Sequence, residues 1–365
     1  MKITGLIVEY NPFHNGHIRH IKESIKLTNP DLVIAVTSGN FTQRGEVSII
    51  NKFDKTKAAL KYGVDLVVEL PYIYTVQNGN EFGKKAVQIL NALGVTDIVF
   101  GSETNNMEEL NKMSSFNIKV DNLKEIMSTG ASYPKAYGIL TDSLYPNDIL
   151  AVSYLKEINK TKITPHTIKR STKFHDTKLK QISSAKAIRN AIEHNKNYSI
   201  ATPIKIKEPH FTKELYPLLR HTLISTKPKD LHNIFLVNEG IENLLIKNAI
   251  KYDNYEDFMN NSISYRYTRS RISRVCLHIL NNISKKDFKE LSSKLSYIRV
   301  LGFNSKGQKY LRDYKKNNIK IATQFKNIDP KQKEIEWKAS LLYSSLLDKP
   351  NDYIKLELKG PVIIK

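Results

Sequence analysis

Ile3-Thr-Gly-Leu-Ile-Val-Glu-Tyr-Asn-Pro-Phe-His-Asn-Gly-His-Ile18 decides how the chain is read. Its first part is a short apolar run ended by a Pro turn, the pattern of a buried strand. Beyond His17, the residues Ile18, Ile21 and Ile25 recur at helical spacing. Two histidines around Asn15-Gly16 therefore stand where a strand hands over to a helix.

The same alternation continues. Strands apolar on both faces are expected over 31–37, 65–70 and 97–102, with a final strand over 163–168. Helices are expected over 52–62, closed by Gly63, and over 81–93, closed by Gly94. A further helix opens in 182–189, with a serine placed to cap it. This β-α-β rhythm predicts an α/β, Rossmann-like domain with a parallel sheet covered by helices. After about residue 200 the texture changes. Pro203, Pro209, Pro217 and Pro228 punctuate the chain, and helical periods follow over 240–251, 270–281, 287–295 and 335–347. With 365 residues and roughly 100–200 per domain, two domains are expected: 1–198, and a mainly α-helical, basic 199–365. No internal repeat is visible.

The formal net charge is +21, from 57 Lys+Arg against 36 Asp+Glu. Such an excess favours polyanions, nucleic acid first and an anionic membrane second. A composition that simply writes Lys on surfaces explains the charge equally simply. Cys276 is the single cysteine, which excludes an internal disulfide and a Cys-based zinc site. The N-terminal apolar run is short and meets Glu9 at once, with no signal-peptide cleavage site. No stretch reaches the ~18 apolar residues of a membrane span. A soluble, cytoplasmic protein in a reducing compartment is expected.

Ligands of open parallel sheets bind at the carboxyl ends of the strands. There a helix N-terminus offers free N–H groups and a positive dipole end. Gly16 would let backbone approach a phosphate, and two imidazoles can donate to phosphoryl oxygens, more strongly when protonated. Displacement at an α-phosphate needs such donors and no nucleophilic side chain. His14 and His17 could instead be half a metal site, but no third ligand lies near in sequence, so no metal residues are assigned.

Pro12-Phe-His-Asn-Gly-His17 resembles the HxGH motif of the nucleotidyltransferase superfamily. Ile182-Ser-Ser-Ala-Lys-Ala-Ile-Arg189 resembles its second motif, departing at Ala185-Lys186 and by one extra residue. More specifically, residues 5–17, Ser38-Gly-Asn-Phe-Thr-Gln-Arg-Gly-Glu46, Pro146-Asn-Asp-Ile-Leu150, Ile168-Lys-Arg170, Phe174-His-Asp176 and Tyr297-Ile-Arg-Val-Leu-Gly-Phe303 resemble the tRNA(Met) cytidine acetate ligase family, over nearly the whole chain. The resemblance implies activation of acetate by ATP to acetyl-adenylate, then acetylation of N4 of the wobble cytidine of elongator tRNA(Met). It implies an ATP site made of Ile7, Val8, Glu9, Tyr10, Asn11, Pro12, Phe13, His14, Asn15, Gly16, His17, Ile18, Arg19 and His20, with Gly101, Asn147 and Arg170. His14 and His17 would be catalytic, while Ser183, Ser184 and Arg189 would reach the triphosphate. Mg²⁺ would shield that triphosphate, though no carboxylate pair marks its site. The partners are tRNA(Met), acetate and ATP, with no membrane and no obligate protein partner.

Plain structural readings stand beside these. Gly101 could be a turn glycine, Asn147 or the Ser-Ser pair a helix cap, and Arg170 a solvated cation. Arg44 could hold a carboxylate or phosphate, placing acetate or the target base. Ser264-Tyr-Arg-Tyr-Thr-Arg-Ser-Arg-Ile-Ser-Arg274 interleaves aromatics with arginines, and Arg271 and Arg274 would share a helix face. These cations, with Lys306, Lys309, Arg312, Lys315 and Lys316, suit phosphates, while Tyr265 and Tyr267 could stack on unpaired bases. Asp176, His175 and Glu46 are candidate general bases by residue type. Two other readings remain open: a small-molecule adenylyltransferase, and a non-catalytic RNA-binding factor.

Overall fold

A computed structural model describes residues 1–115, 126, 129, 145–170, 179–314 and 319–365. Among them, one sheet runs in the order β5-β4-β1-β2-β3-β6-β7, with β8 also on β6. The strands are β1 (Ile3–Val8), β2 (Leu32–Ser38), β3 (Leu66–Leu70), β4 (Asp97–Ser102), β5 (Thr164–Lys169), β6 (Tyr297–Phe303), β7 (Lys320–Ala322) and β8 (Val362–Ile363). The first five pair in parallel. Every residue of β1, β2 and β3 is buried, as continuous apolar runs between helical layers require. Helices Asn15–Thr28, Lys52–Lys61, Gly79–Ala92 and Pro146–Ile158 make the crossovers. β1 lies between β2 and β4, so the strand order reverses beside it. Such a switch point opens a crevice at the carboxyl ends of the strands.

Helices Tyr216–Ser225, Ile241–Lys251, Tyr255–Ser262 and Arg269–Leu280 build a separate core around Leu219, Leu245, Phe258 and Ile272. The helices expected over 240–251 and 270–281 lie here. Those expected over 287–295 and 335–347 are found at Lys285–Ser292 and Pro330–Ser344. The tail then differs from a uniformly helical second unit. β6 returns to the sheet and pairs antiparallel with β3, Leu66 opposite Phe303 and Glu69 opposite Arg299. Ile335, Tyr343 and Tyr353, on the last two helices, join the core of the parallel strands. The residues from 297 onward thus belong with the sheet. The reason lies in the strand itself: all seven residues of β6 are buried, including a charged one.

That charge is compensated locally. Lys52 Nζ lies 2.8 Å from Glu69 and 3.0 Å from Glu357. Arg299 Nη1 lies 3.2 Å from Glu69 and 2.5 Å from Glu357. Two cations and two anions are thus buried together, joining strands β3 and β6 to helices Lys52–Lys61 and Pro350–Lys359. Burial alone would push Glu357 up, but Arg299 and Lys52 outweigh it and hold it at about 2. Gly39 belongs to the same arrangement: a Cβ there would stand 2.4 Å from Glu69 Oε1. Removing one member leaves an unpaired buried charge. Glu357→Gln should therefore lower the unfolding free energy by about 3–5 kcal/mol, read from the urea midpoint at pH 7. A loss of less than about 1 kcal/mol, the worth of an exposed pair, would show that the quartet does not hold the tail to the sheet.

Candidate active site

β1 ends at Val8, and Tyr10 then turns through φ 50°, a left-handed conformation that costs a tyrosine about 1–3 kcal/mol. Such strain persists only where the surroundings enforce it. Here the Tyr10 ring is buried edge-on against Phe13 and His17, with centroids 4.9 and 4.8 Å away. The Asn11–Pro12 peptide is cis. The chain reaches the helix at His14, which is its N-cap.

The cap fixes both histidines. Gly16 N–H donates to His14 Nδ1 at 3.0 Å, and His14 N–H donates to His17 Nδ1 at 3.2 Å. A nitrogen that accepts from an amide carries no proton. Each neutral ring must therefore hold its proton on Nε2. The rings stack with centroids 3.7 Å apart, so the two donor-bearing imidazoles lie together at the cap. Gly16 has a role beyond the one expected from sequence. A Cβ there would lie 2.8 Å from His14 Cε1, so the glycine admits the capping ring itself.

Burial first, and nearby charge second, keep these rings neutral. Burial, then Arg170, then Arg189, push His14 down to about 3. Burial, with His14, His20 and Arg170, pushes His17 well below the imidazole range. His20 is pushed down to about 4, chiefly by burial, and bonds Val99 O of β4 through Nε2. Protonation would strengthen these donors, but burial and the neighbouring cations favour the uncharged rings. The donors are neutral imidazoles beside permanent guanidinium charges.

Arg170 follows β5 directly. Its Nη1 donates to Asn147 Oδ1 at 3.4 Å, and Asn147 Nδ2 donates to Glu103 Oε1. Asn147 is not a helix cap, since Tyr145 occupies that position. Arg170 Nε and Glu103 Oε2 are buried and make no hydrogen bond among the described residues. A buried guanidinium N–H with no partner among the described residues, close to two imidazole donors, has the chemistry to hold an anion. Gly101 stands across from Ile168 in the β4–β5 ladder, 3.3 Å (from a built Cβ) from Arg170 Cγ.

The second motif closes over the first. Asn15 Nδ2 donates to Gln181 O and Ile200 O, and Ile182 reaches to 3.7 Å from a built Cβ on Gly16. Arg189 donates to Asn11 O at 2.8 Å and pairs with Glu46 at 3.3 Å. The serines are used locally: Ser184 Oγ caps Ala187 N–H, and Ser183 Oγ bonds Lys180. Ile7 and Val8 point into the core, and Ile18 packs on its edge. Arg19 pairs with Glu23 along its own helix. His175 and Asp176 lie outside the described residues.

Two buried side chains escaped the sequence reading. Lys55 Nζ donates to the carbonyls of Glu9, Ser38 and Gly39 at 3.0, 3.2 and 2.7 Å. It ties together the ends of β1 and β2, and burial pushes its ammonium down to about 7 against the pull of Glu9. Glu9, raised chiefly by burial, accepts Gln43 N–H at 2.6 Å. Asp148 is fully buried, accepting from Ser102 Oγ and from the amides of Glu103 and Thr104. It shapes the turn after β4 beneath Arg170. Neither Lys55 nor Asp148 carries a sequence signal of burial.

Comparison with known proteins agrees with this geometry. Residues 1–357 match the family described as HIGH Nucleotidyl Transferase. The tRNA(Met) cytidine acetate ligase of Oceanobacillus iheyensis is 38% identical, covering 100% of both chains. That of Caldanaerobacter subterraneus is 40% identical over 87% of this chain and 86% of its own. The chain belongs to the tRNA(Met) cytidine acetate ligase family. The crystal structure of the family's Thermotoga maritima TmcAL superposes with a TM-score of 0.90 at 30% identity, covering 100% of each chain. A second form of that enzyme, bound with alpha-thio ATP, superposes with a TM-score of 0.88.

Two outcomes test the cap. Gly16→Ala should displace the His14 ring, lowering stability by about 1 kcal/mol, the worth of a helix cap, while weakening ATP binding at least ten-fold. Calorimetric titration of ATP checks the second effect. The pH dependence follows from the sign of the shift. An imidazole held at about 3 in the folded chain refuses a proton that the unfolded chain takes up below about 6.5. Stability is thus lost as pH falls through 6.5. His14→Asn should lose about 1 kcal/mol less between pH 7.5 and 5.5 than the parent, by urea denaturation at the two pH values.

Proposed function

We propose that this protein activates acetate with ATP and acetylates N4 of the wobble cytidine of elongator tRNA(Met). The observation that carries the proposal is the stacked His14–His17 pair, each locked as an Nε2–H donor beside Arg170 at the switch point. ATP lies across the carboxyl ends of β1 and β4. An acetate oxygen attacks the α-phosphorus in line, the bond from that phosphorus to the bridging oxygen breaks, and pyrophosphate leaves with the electron pair. The two imidazole N–H groups and Arg170 answer the charge that develops on the phosphoryl oxygens. Arg189, bound to Asn11 O, holds the turn before the cap in place. Mg²⁺ would shield the triphosphate charge, and Glu103, whose Oε2 is buried with no hydrogen bond among the described residues, would be a carboxylate available to hold it.

The amine of the cytidine then attacks the acetyl carbonyl. The bond to the adenylate oxygen breaks, AMP departs with the electron pair, and N4 gives up its proton to a carboxylate base, for which Glu46 is the candidate. Glu46 stands at this side of the crevice, paired with Arg189. The sheet unit supplies the ATP chemistry and the basic helical part the RNA contacts. Of the tyrosines expected to stack on bases, Tyr265 is 51% exposed, whereas Tyr267 is buried with its hydroxyl on Glu239. Tyr265 is therefore the stacking candidate. No helix among the described residues is long and apolar enough to cross a membrane. We place the enzyme in the cytoplasm, acting without an obligate protein partner.

The test is ATP–pyrophosphate exchange with and without acetate, followed by transfer to tRNA(Met) and detection of acetylcytidine. His14→Ala and His17→Ala should each lower the exchange rate by about 10²-fold or more, the cost of losing one oxyanion donor. Exchange that ignores acetate would point to another adenylyl acceptor. RNA binding without any exchange would leave a binding protein.

A further inference from the structure

Arginines from two parts of the chain converge beside the loop that follows β2. Gly45 of that loop, at φ 78°, lies so close to the helix Arg269–Leu280 that a Cβ there would stand 2.5 Å from Arg274 N. Arg274 Nη1 reaches Gln43 O at 3.4 Å, and its Nε is buried with no hydrogen bond among the described residues. Arg271, one turn earlier, and Arg44, on the loop, both act on Arg274. With burial, which matters most, they push its guanidinium down to about 10. Among the described residues Arg274 has no salt bridge and Arg271 Nη2 is 4.0 Å from half-exposed Glu239, while Arg44 acts on the Glu9 carboxylate. The Arg271 guanidinium lies over the Tyr267 ring at 4.8 Å, which fixes its plane.

Three guanidinium groups held together in a part-buried site repel one another, and that repulsion is relieved when an anion sits between them. Guanidinium forks match the paired oxygens of a phosphodiester. We propose that Arg44, Arg271 and Arg274 form a seat for phosphodiester groups of the RNA substrate, at the seam between the helical part and the sheet. This inference rests on the ligase reading above. The seat is distinct from the ATP cradle. Arg170 and Arg189 act on His14, and Arg170 also on His17, whereas neither Arg271 nor Arg274 does. RNA is the occupant because Tyr265, exposed in the same stretch, offers a face for a base, and because the chain's net charge is +21. The seat also touches the crevice: Gln43 receives Arg274 on its carbonyl and gives its N–H to Glu9, just after β1, and Arg44 acts on the same carboxylate.

The experiment uses the full chain and a tRNA(Met) transcript. R271Q, R274Q and the double variant are compared for KM of tRNA across potassium chloride concentrations. Acetate-dependent ATP–pyrophosphate exchange without tRNA is measured beside it. The double variant should raise KM for tRNA about ten-fold or more. It should also lower the slope of log KM against log salt by between about one and two, one unit per lost phosphate contact. R271K/R274K should restore most of that slope. R271Q alone, at a half-buried surface position, guards against a folding defect and should show about half the slope change. An unchanged KM and salt slope would overturn the seat. So would an unchanged tRNA KM with a raised KM for ATP, which would assign the cluster to the nucleotide. If the parent protein showed no acetate-dependent exchange, the ligase reading would fall. Salt-dependent binding of the transcript would then still decide the seat.

Discussion

Two hydrogen bonds from backbone amides to imidazole nitrogens organise the crevice. A helix begins with unsatisfied N–H groups, and an ordinary sequence answers them with Ser, Thr, Asp or Asn. This chain answers them with histidines. The consequence is chemical as well as structural. A capping imidazole loses its accepting nitrogen to the backbone, so the other nitrogen must carry the proton and point away. Burial, with Arg170 beside both rings and Arg189 beside His14, then keeps them uncharged. The result is a pair of rigid, neutral donors whose direction is set by the helix rather than by a ligand.

Around that cap the molecule is layered in rings of support. Lys55 clamps the carbonyls at the ends of β1 and β2, and Asp148 clamps the turn after β4. Arg189 bridges the turn before the cap to the loop after β2, and that loop in turn lies backbone to backbone on the helix Arg269–Leu280. The crevice is therefore walled by segments far apart in sequence, each held by buried polar contacts. Preorganisation of this kind lets fixed dipoles, rather than mobile water, meet the charge of a phosphoryl transfer.

The parallel strands were legible because a strand buried on both faces writes a largely apolar run, and β1 to β4 do so, with Glu69 the charged exception inside β3. The crevice was legible because strand, Pro turn, His-Asn-Gly-His and helix fall in one stretch. The remaining features lacked such signals. Lys55 and Lys52 look like any surface lysine on a helix, since the carbonyls and carboxylates that accept them arrive from elsewhere in the fold. β6 was hidden by helical neighbours and by Arg299, a residue that argues against burial until its partners are known. Tyr267 reads as a free aromatic, yet its ring closes the helical core beneath Arg271. The role of Gly16 was half visible: the need for space was plain, but the group filling that space was the neighbouring side chain.

The antiparallel pairing of β3 with β6 sets a temporal order on the chain's biogenesis. Asp65 and Asn304 are 239 residues apart yet hydrogen-bonded, so the nascent polypeptide leaves the ribosome with its first five strands complete long before the sixth exists. During that interval β3 is a bare edge, open to pairing with a neighbouring chain, and the Lys52–Glu69 pair beside it lacks Arg299 and Glu357. The quartet is complete only once the last helix, Pro350–Lys359, has brought Glu357 to Lys52 and Arg299.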